Sequence, residues 1–285
     1  MIRFLSLPDE FCSEKSRVVV LPVSFENNKG LVRGSFRGWF EILRASHHLE
    51  YFDVELSSEP FVNGIFTAPV LDFFKCSPEE MVKRLSLETS RFSGRFVVGL
   101  GGDHAVTLGF VDAFSRFFPD LSVLVFDAHC DLRYSWNNSL FSHACVSRRL
   151  CLKHKVGIVG VRSMDSSEND FLNSEQGGNV RIVKSFELCD EKLDELFSHL
   201  SDNVFVSVDC DVFDPSFIRN TTTPEPGGLG WYDVLGVLKR VFREKNVVGC
   251  DLVEFSPDEN FLAEAFSLAK LVYKMIAYKF GKLLD

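Results

Sequence analysis

The stretch Ser122-Val123-Leu124-Val125-Phe126-Asp127-Ala128-His129-Cys130-Asp131 decides how the chain is read. Its first half is an apolar run, as expected of a strand buried on both faces of a parallel sheet. Its second half alternates acid and imidazole with small residues. The stretch Val204-Phe205-Val206-Ser207-Val208-Asp209-Cys210-Asp211 repeats the form, an apolar run that ends in two acids. In open parallel sheets ligands bind beyond the carboxyl ends of the strands, so both endings fall where chemistry is expected.

Working outward, further strand candidates are Arg17–Phe25, Tyr51–Leu56, Phe96–Leu100, Val156–Val161, Val180–Val183 and Val248–Val253. Helical patterns lie between them, near Phe36–Leu49, Pro78–Phe92, Val106–Phe118, Ser142–Leu152, Ser166–Asn173, Glu191–His199, Trp231–Lys245 and Asn260–Phe280. Strands alternating with helices predict an α/β fold, a mostly parallel sheet covered on both faces. No Pro/Gly/Ser-rich linker and no internal repeat divides residues 1–285, which read as one domain. Polar clusters follow four of the strands, at Gly101–His104, Asp127–Asp131, Asp209–Asp214 and Glu254–Asp258. All four should gather along one edge of one sheet.

Residues two apart at a strand end point the same way. Asp127, His129 and Asp131 can therefore line one surface if the backbone stays extended, and so can Asp209 and Asp211. Cys130 and Cys210 then face away and read as small core residues. His104 follows Gly101-Gly102-Asp103, where glycine permits a sharp bend into a helix. The six candidate metal ligands are His104, Asp127, His129, Asp131, Asp209 and Asp211. Crowded carboxylates repel and take up protons unless cations neutralise them. An oxygen-rich set without thiolate suits Mn²⁺ or Mg²⁺ better than structural Zn²⁺, and the two imidazoles favour Mn²⁺. Each motif alone is commonly an ordinary polar strand end. Their joint occurrence points to a metal centre.

The remaining composition narrows the field. The net charge of −9 argues against a nucleic-acid binder and mildly favours a cationic substrate. The eight cysteines are scattered without a CxxC pair, which suits a reducing cytoplasm. The first residues, MIRFLSLPDEFCSEK, lack the apolar core and cleavage site of a signal peptide. Phe261–Phe280 is apolar but interrupted by Glu264, Lys270, Lys274 and Lys279, so it reads as an amphipathic packing helix, not a membrane span. His47, His48, His154 and His199 lack a motif and read as structural or exposed.

Four motifs carry a resemblance. Gly101-Gly102-Asp103-His104, Asp127-Ala128-His129-Cys130-Asp131, Ser207–Pro215 (SVDCDVFDP) and Gly249-Cys250-Asp251-Leu252-Val253-Glu254 resemble, in order, those of the ureohydrolases: arginases, agmatinases and their relatives. The resemblance spans most of the chain. It implies a three-layer α/β/α fold of arginase type, two Mn²⁺ ions per chain and release of urea. It also implies a homo-oligomer, trimer or hexamer, that binds a small cationic guanidino substrate and neither nucleic acid nor membrane. Thr223–Leu229 (TPEPGGL), Asp131-Leu132-Arg133 and Ser142-His143-Ala144 are most similar to the agmatinase branch, making agmatine the expected substrate. The alternatives are aminopropylagmatine ureohydrolase, arginase, guanidino-acid hydrolase, formimidoylglutamase, and a catalytically silent paralogue acting as a binding partner. Arg133 stands where arginases carry the Asn that holds the amino-acid head group. The sequence departs from the family at Ile218–Thr222, at Ala105 and at Val32–Gly38, all near the pocket mouth.

The resemblance further implies roles. Asp127 and Asp209 would bridge the ions, His104 would complete one shell, and His129 with Asp211 the other. Asp131 would bind metal and orient a hydroxide, which two ions can supply near neutral pH. Glu254 would grip the guanidinium, or else be a charge at a turn near Pro257. His143 would pass a proton to the leaving amine, or else pack. Arg133 would bind a substrate carboxylate or make a structural ion pair.

Overall fold

The computed structural model describes residues 2–27, 31–258 and 260–281. Its strands are β1 (Val18–Ser24), β2 (Ile65–Thr67), β3 (Leu71–Asp72), β4 (Phe96–Leu100), β5 (Ser122–Phe126), β6 (Val156–Val161), β7 (Val180–Lys184), β8 (Asn203–Asp209) and β9 (Asn246–Val253). They form one sheet in the order β2-β1-β4-β9-β8-β5-β6-β7, with β3 beside the far end of β1. Every pairing is parallel. The last strand in the chain, β9, lies between β4 and β8 and so joins the two halves of the sheet.

Helices cover both faces, completing three layers. On one face lie α1 (Gly38–Ser46), α6 (Asp190–His199), α7 (Trp231–Glu244) and α8 (Ala263–Phe280). On the other lie α2 (Pro78–Ser90), α3 (Val106–Ser115), α4 (Val146–Leu150) and α5 (Ser166–Leu172). The strands divide their side chains by the period of two. Val204, Val206 and Val208 of β8 join the first core, while Phe205 stacks on Phe110 in the second. Leu124 and Phe126 of β5 point one way, Val123 and Val125 the other. Continuous apolar strands follow from this double burial.

Two expectations are corrected, and two strands were not anticipated. Tyr51–Leu56 is not a strand: it runs through bends and a turn, closed by an isolated antiparallel bridge between Asp53 and Ser58. The Asp53 carboxylate accepts from Leu56 N at 3.0 Å, and Ser57 has φ +47°, which curls the segment. Strands β2 and β3, at three residues and two, are too short to leave a periodic signal. Finally, α8 is buried along nearly its whole length, including Lys274 at 4% exposure. The Lys274 ammonium reaches Asp53 at 3.0 Å and Glu55 at 2.5 Å in the curled segment, which covers the face an amphipathic helix would show to water. Among the described residues no helix is long and apolar enough to cross a membrane.

Candidate metal centre and substrate pocket

The four polar clusters follow β4, β9, β8 and β5, which are adjacent in the sheet. The chain after β4 turns through Gly101 and Gly102 into α3. A Cβ on Gly102 would come within 2.1 Å of Phe25 O, so only glycine lets the turn press against the end of β1. Asp103 N donates to Phe25 O at 3.0 Å and Glu254 N donates to Gly102 O at 2.7 Å. The turn is thus held from both sides, and His104 is delivered to the sheet edge with 1% exposure.

After β5 the chain bends at Ala128, and His129 makes an isolated parallel bridge with Ser163. Asp131 adopts φ +51°, a left-handed conformation that Asp tolerates better than most residues. Its carboxylate lies 3.0 Å from His104 Nδ1. After β8, Cys210–Val212 form a 3₁₀ turn in which the Asp209 carboxylate accepts from Asp211 N at 2.9 Å. Asp211 accepts from Ala128 N at 2.9 Å and lies 2.9 Å from His129 Nδ1. Cys130 and Cys210 are fully buried, facing the core as the alternation requires.

Five of the six expected ligands form two triads with metal-ligand spacing, His104–Asp127–Asp209 and Asp127–His129–Asp211, sharing Asp127. Asp131 is in neither triad but lies beside the first, 3.0 Å from His104 Nδ1. Asp209, expected to bridge, groups with His104 and not with His129. His104 Nδ1 lies 3.3 Å from Asp127 Oδ2, 3.0 Å from Asp131 Oδ2 and 3.4 Å from Asp209 Oδ2, yet hydrogen-bonds to none of them. Asp127 Oδ2 is likewise buried without a hydrogen-bond partner. Buried atoms without hydrogen bonds occur elsewhere in the protein, but here an imidazole and three carboxylates converge on one point, which matches the shell of an ion. The residues therefore fit divalent cations.

Electrostatics agrees. Burial, then repulsion by neighbouring carboxylates, pushes the Asp209 and Asp211 carboxyls up. Burial and Asp127 push Asp131 up as well. Burial opposes charge on His129, but Asp211 and Asp127 raise it to about 12. The cluster on its own recruits protons, and cations would displace them.

Behind His104 the imidazole Nε2 lies 3.2 Å from Ser207 Oγ, which is 3.2 Å from Thr107 Oγ1, with buried Asp251 on the neighbouring strand β9. Glu254 sits at φ +62° with 2% exposure. Its carboxylate accepts from His104 N at 2.6 Å and from the Thr222 hydroxyl. Burial and the Asp103 charge raise its pKa. His143 opens a short 3₁₀ turn, Nδ1 at 3.3 Å from Ser142 Oγ, and burial lowers its pKa.

Sequence reasoning overlooked Arg162. It follows β6, on the same sheet edge, and its guanidinium donates to six carbonyls: Gly160, Asp211, Val212, Phe213, Glu225 and Pro226. It ties the Asp211 turn to the loop carrying Glu225. The rule that exposed the four polar clusters applies equally to Arg162-Ser163 after Val156–Val161. Thr222 was noticed only as part of a departure from the family pattern. Asp165 and Glu168 form a capping box on α5, and Glu168 also accepts from Leu132 N at 2.8 Å.

Asp127, His129, Asp131, Asp209, Asp211, His143, Thr222 and Glu254 are among the residues that line a cavity of about 380 Å³. Eight carboxylates face it, Asp127, Asp131, Asp209 and Asp211 with Asp165, Glu168, Glu225 and Glu254, against one arginine, Arg133. Arg133 pairs with Asp165 at 2.6 Å and its guanidinium lies 4.5 Å from the Trp136 ring centre.

Comparison with known proteins agrees. The family model described as "Arginase family" matches residues 16–277. The N(1)-aminopropylagmatine ureohydrolase of Synechocystis is 34% identical, covering 97% of this chain and 95% of that protein. Its namesake from Thermus thermophilus is 39% identical over 93% of this chain and 91% of that one. The crystal structure of agmatine ureohydrolase of Thermoplasma volcanium superposes with a TM-score of 0.84 at 26% identity, covering 98% of this chain and 94% of that one. The chain belongs to the arginase family.

Proposed function

We propose that the protein hydrolyses a cationic guanidino compound to urea and an amine at two Mn²⁺ ions, and that the substrate is N(1)-aminopropylagmatine in preference to agmatine. The observation that carries this reading is the pair of triads sharing Asp127. His104, Asp131 and Asp209 would hold one ion with Asp127, and His129 and Asp211 the other. When bound, two such ions supply Lewis acidity that makes water nucleophilic near neutral pH.

The chain's own groups do the rest. Asp131 would orient the attacking water. Glu254, fixed by His104 N–H and Thr222, would align the guanidinium by charge-assisted hydrogen bonds. His143 would take up a proton released by the attacking water and pass it to the departing nitrogen. The scissile C–N bond breaks, the carbon gains the water oxygen, and the nitrogen leaves as an amine.

Two features favour a polycation over an amino acid. With the four aspartates assigned to the ions and Asp165 paired with Arg133, Glu168, Glu225 and Glu254 remain on the cavity wall, more negative charge than a guanidinium alone would match. Arg133 is engaged by Asp165, leaving it poorly placed to hold a substrate carboxylate. The full-length relatives named above carry the aminopropylagmatine name, which moves the expectation from agmatine to that substrate. The test is urea release by Mn²⁺-loaded protein with aminopropylagmatine, agmatine, arginine, guanidinobutyrate and formimidoylglutamate. The highest kcat/KM should fall to aminopropylagmatine. A higher value for agmatine would reverse the assignment, and no urea from any of them would overturn the reaction.

A further inference from the structure

At the opposite end of the sheet, the amino-terminal ends of β1, β4 and β9 border a second cavity, of about 680 Å³. This lies within the size range of small-molecule sites. Six phenylalanines line it, Phe114 and Phe118 stacked among them with ring centres 6.5 Å apart. Lys15, Arg17, Arg95 and Lys279 also line it, and no aspartate or glutamate does. On a chain of net charge −9, that is a local reversal of sign.

None of the four cations has a carboxylate within ion-pairing distance among the described residues. Three make neutral contacts instead. Arg17 donates to Asn63 Oδ1 at 2.9 Å, Arg95 to Glu14 O, and Lys279 to Val247 O at 2.7 Å. Each of these three also stands over an aromatic ring: Arg17 over Phe280, Arg95 over Phe92 and Lys279 over Phe96. Ring faces and carbonyls hold the charges in place but do not cancel them. Burial lowers the pKa of Arg95, and burial with the nearby Arg17 charge lowers that of Lys279, so the cluster is short of an anion.

We propose that this cavity binds a small amphiphilic carboxylate, its apolar body among the phenylalanines and its head group between Arg17, Arg95 and Lys279. A carboxylate suits the site because guanidinium groups grip it bidentately, while an apolar wall of this size would leave a multiply charged phosphate poorly solvated. The site is separate from the metal centre but shares two strands with it. β4 and β9 begin at this cavity and lead at their other ends to His104 and Glu254.

The experiment is calorimetric titration of the metal-loaded protein with 2-naphthoate and with its neutral isostere 2-naphthamide. Naphthoate should bind, and naphthamide at least about tenfold more weakly, since one charge-assisted contact is worth about that factor. Arg95→Gln and Lys279→Gln should each weaken naphthoate binding to a similar degree, and the exposed Lys15→Glu should weaken it without disturbing the fold. Melting temperature and urea release of the three variants serve as controls for folding. Equal affinity for the acid and the amide would overturn the proposal. So would naphthoate binding that survives all three substitutions or is displaced by the guanidino substrate, because the ligand would then sit elsewhere. Self-association that buries this face, with no naphthoate binding, would assign the cavity to an interface between copies and would also overturn it.

Discussion

Glu254 shows how much a single residue can be asked to do. Its carboxylate accepts from His104 N–H and from Thr222, so it is held rigidly before any substrate arrives. In Glu254→Gln the shape is kept and the charge facing the guanidinium is lost. Breaking a buried ion pair costs about 3–5 kcal/mol. At about 1.4 kcal/mol per factor of ten, kcat/KM for urea release should fall a hundred- to a thousand-fold. Metal content should stay normal, because the residue is outside both triads. Loss of metal would identify it as a ligand; near-normal kinetics would leave it a purely structural role. Arg162 makes the complementary case. Lysine at this position keeps the charge but cannot span six carbonyls in one plane. Arg162→Lys should loosen the 3₁₀ turn bearing Asp211 and weaken metal binding about 10–100-fold, as loss of supporting contacts around metal ligands generally does. A metal titration with unchanged affinity would reduce Arg162 to general stability.

Among the elements, α8 and the curled segment before β2 depend on each other. Lys274 is buried against Asp53, itself 1% exposed, and Glu55. Lys274→Met leaves the Asp53 carboxylate buried without its partner, a change that costs about 3–5 kcal/mol. Lys274→Met with Asp53→Asn should recover part of that loss in a denaturant melt. Acid should act on the same contact. Burial alone would raise the Glu55 carboxyl, but hydrogen bonds from Lys274, Tyr278 and Lys239 bring it from 4.5 to about 2. A carboxyl depressed on folding stabilises the native state above its unfolded value and loses that contribution as pH falls towards its folded value. Glu55 is partly exposed, so solvent screens much of the effect. The melting-temperature gap between wild type and Lys274→Met should therefore narrow as the pH drops from 4.5 to about 2. A gap that widens would contradict the assignment. This contact also marks where sequence reading stops. β4, β5, β8 and β9 were legible because buried strands must be apolar and because the functional residues follow them directly. Tyr51–Leu56 misled because Tyr51, Phe52 and Val54 have strand character, while the partner that bends the segment lies 219 residues away from Glu55. Lys274 was read as a solvated interruption for the same reason. Thr222 and Arg162 act through tertiary contacts that leave no local pattern.

For the whole molecule, the clustered ligands couple metal to stability. Cations that bind only the folded state stabilise it by mass action, about 2.7 kcal/mol at a hundredfold excess over Kd. Removal of metal by a chelator should lower the melting temperature, and reloading at neutral pH should release protons from the carboxylates and imidazoles. A melting temperature indifferent to chelation would refute this. Apolar periodicity revealed that a parallel sheet exists, and the motifs revealed which loops share its edge. Neither could show that the four strands are neighbours, because side-by-side order depends on packing between segments far apart in the chain.

That order has a consequence for how the metal centre is completed. His104 belongs to the half of the sheet containing β1, β2 and β4, and the five ligand residues after β5 and β8 belong to the other half. Within the sheet, β9 (residues 246–253) is the strand that joins the halves. The two imidazoles therefore face each other only with β9 in place between the halves. The Asp127–His129–Asp211 triad lies wholly within one half and can form without β9, whereas the triad that includes His104 spans the junction and is complete only once β9 has joined the two halves.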